Sequence, residues 1–137
     1  MAFINWIKDY SVGVGELDHQ HQKLMEIINK LFELYQAKQF STAEVEPIFK
    51  ELFDYADYHF GTEENYFKLY NYPHKNEHIG THNVYREKMR GLKDKYDQEK
   101  NPEILFEIAN FLNDWWIWHI NHIDKEYTKY FNANGLL

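Results

Sequence analysis

Six residues able to bind metal or move protons stand where the hydrophobic pattern of the chain calls for apolar side chains: His21, His59, Glu63, His78, His82 and His119. His59 and Glu63 are four residues apart, as are His78 and His82. On a helix the two members of each pair face the same way, about 40° around the axis and one turn along it. Imidazoles and a carboxylate, in a chain with Cys 0, suit iron, manganese or zinc rather than a thiolate site. Six or more such groups exceed what one tetrahedral zinc can use, so two octahedral metals bridged by a carboxylate fit better. The bland alternative is a self-satisfied hydrogen-bond network. It is disfavoured because uncompensated burial of charge costs several kcal/mol per group.

The elements that must position these residues are helices. Leu17, His21, Leu24, Ile28, Leu31 and Tyr35 alternate at the spacings of one helical face. A second stripe runs Val45, Ile48, Leu52, Tyr55, His59 and Glu63, preceded by Ser41 and Glu44 in the pattern of a capping box. Pro47 falls inside it, so a kink there or a later start is expected. Pro73 in NYPH ends that helix, and His78, His82, Tyr85, Met89, Leu92 and Tyr96 form a third stripe. Asn101 and Pro102 are a good N-cap and first helical residue for a fourth, carrying Leu105, Ile108, Leu112, Trp115 and His119. The spacing predicts helices over 17–38, 42–70, 74–97 and 102–131 after an N-terminal arm, 1–16, whose Phe3, Ile4, Trp6 and Ile7 are expected to pack on the helices. The fourth is long enough that it should overrun its partners or bend. Short connections require antiparallel neighbours, giving an all-α, up-down-up-down four-helix bundle.

That topology can be tested against the chemistry, because antiparallel neighbours align residues equidistant from their loop. His21 lies 18 residues before Gln39 and His59 lies 20 after it; Glu63 is 8 before Asn71 and His78 is 7 after; His82 is 17 before Glu99 and His119 is 20 after. All four helices therefore deliver their polar core residues to one layer. A seventh ligand is open between His122 and Asp124, and spacing alone favours His122, which is nearer the face of His119. His19 and Glu64 point away from that face, His19 being exposed and Glu64 a solvated or supporting residue, and His74 follows Pro73 in an exposed connection; His122 is read as either a supporting or a partly exposed residue.

Composition narrows the class further. The chain has 137 residues, the size of one domain, 44% hydrophobic and 27% charged, with Gly 6 and Pro 3. A formal net charge of -7 argues against a nucleic-acid partner. No apolar run approaches the length of a transmembrane span, and MAFINWIKDY does not read as a signal peptide, so a cytoplasmic location is expected.

In DHQHQKL, HFGTEE, HIGTH and HINHID, in this order and at these separations, the chain resembles the hemerythrin family over nearly its whole length, as a single hemerythrin-like domain. The resemblance implies a non-heme di-iron centre (Fe2+/Fe3+) with an oxo or hydroxo bridge that binds O2 reversibly. His78, His82 and His119 would hold one iron, His21 and His59 the other, and Glu63 and Asp124 would bridge both; here the resemblance selects Asp124 over His122. The iron with two histidines would take O2, and Phe60, Trp116 and Ile120 would line the pocket, with the bulk of Trp116 narrowing it. The function expected is a non-enzymatic one: oxygen storage, or delivery to an oxygen-consuming enzyme. The alternatives are a di-iron oxidase, peroxidase or nitric oxide reductase, and an O2 or redox sensor. A carboxylate-poor site argues against the first, and a length that leaves no room for a signalling domain argues against the second.

Overall fold

The computed structural model describes residues 2–137. Four long helices, α1 (Gly15–Ala37), α2 (Thr42–Leu69), α3 (Lys75–Glu99) and α4 (Pro102–His122), are followed by a 3-10 turn (Asp124–Tyr127) and a short α5 (Thr128–Ala133). α1 packs against α2 and α4, and α3 packs against the same two helices, which closes the ring of an antiparallel bundle. α1 and α3 each end on a lysine in the left-handed conformation, Lys38 at φ 61 and Lys100 at φ 53. Such a residue turns the chain while its N–H satisfies a carbonyl of the last helical turn, here Tyr35 and Tyr96.

Local signals explain most boundaries. At the start of α2 the Ser41 N–H donates to Glu44 Oε1 at 3.1 Å, and at α4 the Asn101 Oδ1 accepts from the Glu103 N–H at 3.0 Å. Pro47 neither delays nor ends α2, which begins at Thr42 and runs through it. The carbonyl that loses its donor belongs to Ala43, an exposed residue, so water can take the vacated bond. The buried face of α2 is also rotated from the expected stripe: Phe49 and Ala56 are buried, while Ile48 and Tyr55 are half-buried.

The largest departure is in the fourth helix. α4 does not run from 102 to 131; it stops at His122, and Ile123 (φ -110, ψ -55) leads into the 3-10 turn. This break re-aims Asp124 into the bundle, where it is fully buried.

The arm holds that re-aimed segment in place. The backbone of Ile4 exchanges two hydrogen bonds with the Asn29 side chain of α1, at 2.9 and 2.8 Å, and Phe3 stacks on Phe32. Further on, Thr128 donates to the Val12 carbonyl at 2.6 Å and Asn132 to the Gly13 carbonyl at 2.9 Å, while Asp18 of α1 accepts from Val12 N–H and Ser11. Ile4, Val12 and Val14 are buried and Trp6 is half-buried, whereas Ile7 is 47% exposed and does not pack on the bundle, because it leads into a surface 3-10 turn (Lys8–Tyr10).

Gly13 makes this docking possible. Its φ is +73°, and a Cβ there would lie 2.6 Å from Thr128 Cγ2. Gly13→Ala therefore combines left-handed strain of about 1–2 kcal/mol with a steric clash. Urea unfolding of the variant should show a loss of stability of at least about that size, and an unchanged midpoint would contradict this account of the arm.

Candidate metal centre

The side chains that meet at mid-bundle are His21 from α1, His59 and Glu63 from α2, His78 and His82 from α3, His119 from α4 and Asp124 from the turn after α4. All seven are at most 3% exposed. They fall into two overlapping groups, Glu63, His78, His82, His119 and Asp124 in one, and His21, His59, Glu63 and Asp124 in the other; within each, one donor atom per residue lies within 4.8 Å of all the rest. Both carboxylates belong to both groups. Asp124 divides its oxygens between them: Oδ1 is 3.0 Å from Nε2 of His78 and of His119, and Oδ2 is 3.1 Å from Nε2 of His21. Glu63 Oε1 lies 3.2 Å from His82 Nε2 and 3.5 Å from His59 Nε2.

These short distances are not hydrogen bonds. Glu63 Oε1, both oxygens of Asp124 and Nε2 of His78, His82 and His119 are all buried without a hydrogen-bond partner. Six orphaned donor atoms converging on two points would be very costly in a protein interior unless a cation sits among them. The donor set therefore fits metal.

The far side of the cluster is hydrogen-bonded in a way that fixes this orientation. His59 Nδ1 lies 2.8 Å from Gln20 Oε1, and Gln20 Nε2 donates to Thr62 Oγ1 at 3.2 Å, which itself donates to the Tyr58 carbonyl. A carbonyl can only accept, so His59 carries its proton on Nδ1 and turns a bare Nε2 lone pair inward. His82 Nδ1 donates in the same way to Glu64 Oε2 at 2.7 Å, and Arg86 steadies Glu64 from 3.6 Å. Tyr127 donates to Glu63 Oε2 at 2.6 Å, leaving Oε1 for the centre. Aromatic rings stack on the three-histidine group: Phe60 on His82 (3.9 Å between centroids), Trp115 on His119 (4.2 Å) and Tyr127 on His78 (5.7 Å).

Electrostatics in the metal-free state follow from this crowding. Burial pushes His59 down to about 3, overriding the pull of Glu63 and Asp124, so its imidazole is neutral and ready to ligate. Burial and Asp124 act to raise Glu63, yet His59 and His82 hold it down to about 2. Asp124 is held well below the usual carboxylate range against its burial by His119, with His21 and His78 contributing. His82 goes the other way. Burial opposes its charge, but Glu63 and Glu64 on its two nitrogens raise it to about 8.

Of the residues singled out in the sequence, His21, His59, Glu63, His78, His82 and His119 meet as expected, and Asp124 joins them instead of His122. His122 is exposed, beside Trp118. His19 and His74 are exposed too. Phe60, Trp116 and Ile120 are fully buried, with the Trp116 ring 5.7 Å from that of His59 and 6.4 Å from that of His21. Sequence reasoning missed Gln20 and Tyr127. Gln20 directly precedes a stripe histidine, and that adjacency was the available signal; Tyr127 acquires its role only through the break after His122.

The bundle and its donor set define a helical metal-binding protein, and comparison identifies the family. The hemerythrin HHE cation binding domain matches residues 12–133, and the chain belongs to that family. It is 31% identical over 127 residues to a bacteriohemerythrin of Clostridium acetobutylicum, covering 89% of this chain and 96% of that protein. It is 32% identical over 123 residues to a hemerythrin-like protein of Naegleria gruberi, covering 90% and 89%. A crystal structure of wild-type hemerythrin superposes with a TM-score of 0.81 at 25% identity, covering 93% of this chain and 97% of that one. No helix among the described residues is long and apolar enough to cross a membrane.

Two outcomes are expected. Tyr127→Phe frees Glu63 Oε2 from its donor and should weaken metal retention about 10- to 100-fold in chelator competition, with helicity unchanged. A metal entering at His82 Nε2 must displace the proton held there below about pH 8. Calorimetric titrations of anaerobic metal-free protein with Fe2+, in buffers of differing ionisation heat, should therefore release more protons at pH 6.5 than at pH 8.5. Equal release at both would contradict the charge assigned to His82.

Proposed function

We propose that the chain binds O2 reversibly at a non-heme di-iron centre, storing oxygen or delivering it to an oxygen-consuming enzyme, and that it is not itself an enzyme. The observation that carries this reading is the overlap of two unequal donor groups. Three histidines serve one position and two the other, while Glu63 and Asp124 are common to both. His78, His82 and His119 would hold one iron, His21 and His59 the second, with an oxo or hydroxo bridge completing the pair; the position with fewer histidines keeps room for an exogenous ligand. Two ferrous ions together supply the two electrons that O2 takes up on binding and gives back on release.

The residues of the chain supply the conditions for reversibility. Glu63 and Asp124 bring anionic charge that offsets the cations in a region with almost no solvent exposure. Gln20 and Glu64 hold His59 and His82 in the tautomer that ligates. Phe60, Trp116 and Ile120, all at most 1% exposed, would help to keep water and its protons from the centre, which would protect a bound anion from irreversible protonation. Trp116 is the bulkiest of these, and its size limits the space open to a ligand there.

Iron analysis and optical titration test this reading. The protein should carry about two irons per chain, as its two donor groups require. A visible band should appear when O2 is added to the anaerobic ferrous protein and fade when O2 is withdrawn. Irreversible oxidation with turnover of an added reductant would assign the chain to the di-iron enzymes instead. Glu63→Ala should lower iron content and abolish the band, whereas His19→Ala, at an exposed position, should change neither.

A further inference from the structure

His59 and His82 both turn Nε2 inward, but their outward nitrogens meet partners of different charge. His59 Nδ1 faces the neutral amide oxygen of Gln20, whereas His82 Nδ1 donates to a carboxylate oxygen, Glu64 Oε2, at 2.7 Å. A carboxylate on the far nitrogen pushes electron density towards Nε2 and makes the imidazole a stronger donor, which favours the more highly charged state of a metal held there. Glu64 is not alone with His82. Arg86, one turn further along α3, places Nη2 3.6 Å from the same oxygen, Oε2. Its other nitrogens are occupied: Nε donates to Asp57 Oδ1 at 3.1 Å and Nη1 to Asn83 Oδ1 at 2.9 Å, while the guanidinium carbon lies 4.9 Å from the centroid of Phe60. Asp57, Phe60 and Glu64 are three and four residues apart on one face of α2, so one planar fork is fixed against that face. The Arg86 and Glu64 side chains are partly exposed, and such a pair adds little to stability. What it changes is the charge that Oε2 presents to His82.

We propose that Arg86 is a positioning residue that acts through Glu64 to limit the donor strength of His82, and so sets the ferrous–ferric balance on the three-histidine side. The inference rests on the di-iron reading above and deepens it by naming the residue that controls that balance. Glu64 strengthens the imidazole and favours Fe3+. Arg86 draws charge from the oxygen that it shares with His82 and returns the balance towards Fe2+, the state that takes up O2 in that reading. His59, whose partner is a neutral amide, has no carboxylate at Nδ1 for a cation to moderate.

Two readouts test this. Iron-loaded protein is titrated anaerobically for its midpoint potential, and Zn2+-loaded protein gives the proton resonance of His82 Nδ1–H, which moves downfield as that hydrogen bond strengthens. Arg86→Gln should lower the potential and move the resonance downfield, with helicity unchanged. Arg86→Lys should fall between Arg86→Gln and the wild type, because an ammonium keeps the charge and loses the fork. Glu64→Gln should raise the potential, by on the order of a tenfold change in the ratio of ferric to ferrous affinity, and move the resonance upfield. Arg86→Gln made in the Glu64→Gln background should then shift neither readout. No shift in Arg86→Gln alone would overturn the inference, and an equal shift in both backgrounds would overturn it in favour of a general field effect of the lost cation. A wild-type protein that binds neither metal would overturn the di-iron reading and this inference with it. Irreversible oxidation by O2 would overturn the carrier function alone, because both readouts are taken without O2.

Discussion

The structure depends on one electrostatic constraint: Glu63 and Asp124 lie in a dry layer, 0% exposed, where neither can be neutralised by water. Five imidazoles surround them, yet their inward nitrogens lack the geometry of hydrogen-bond donors to those oxygens. A layer of this kind is unfavourable by several kcal/mol per charge when empty and favourable once cations occupy it. The same arrangement therefore specifies the ligand and ties the stability of the bundle to it. Polar partners on the outer edges of the cluster, Gln20, Glu64 and Tyr127, all act to turn the metal-binding atoms of His59, His82 and Glu63 inward.

Asp124 is the point at which topology and site depend on each other. A continuous fourth helix would carry it away from the face that presents His119. The chain instead breaks after His122, and the segment that follows is held by contacts from distant parts of the sequence. Thr128 and Asn132 bind the carbonyls of Val12 and Gly13, and Tyr130 binds the carbonyl of Tyr70 at the end of α2. Below the turn, Phe67, Tyr72, Tyr127 and Phe131 close that end of the bundle with packed rings. The arm is thus part of the site's support, since it holds the segment that delivers the second carboxylate.

Much of this was legible in the sequence for a simple reason. A histidine at a position where helical periodicity demands leucine is conspicuous, and counting from the loops brought His21, His59, Glu63, His78, His82 and His119 to one level. Asp124 was not legible in this way, because periodicity assumes the helix continues and therefore pointed to His122; only resemblance to the family corrected it. Pro47 misled in the opposite direction, since the cost of a proline in a helix depends on whether the freed carbonyl can reach water, and that of Ala43 can. Gln20 and Tyr127 escaped notice because their roles come from partners 39 and 64 residues away in the chain.

The two halves of the centre are supported by different kinds of contact. His82, His119 and His78 each lie nearly parallel to an aromatic ring, at 16°, 13° and 14° respectively. Flat stacking restricts rotation of an imidazole about its own bond, because any turn drives its edge into the neighbouring ring. Around His21 and His59 the rings are inclined: 62° to one another, and 59° from each to Trp116. His59 is held by Gln20 at Nδ1 and lies 3.0 Å from His21 Nε2 at its own Nε2, while His21 Nδ1 is buried with no partner. Flat ring stacking is therefore concentrated on the three-histidine side, and inclined packing on the two-histidine side. Metals held by this donor set would meet flat-stacked imidazoles on one side and inclined ones on the other, so a change of coordination would be accommodated most readily at His21 and His59.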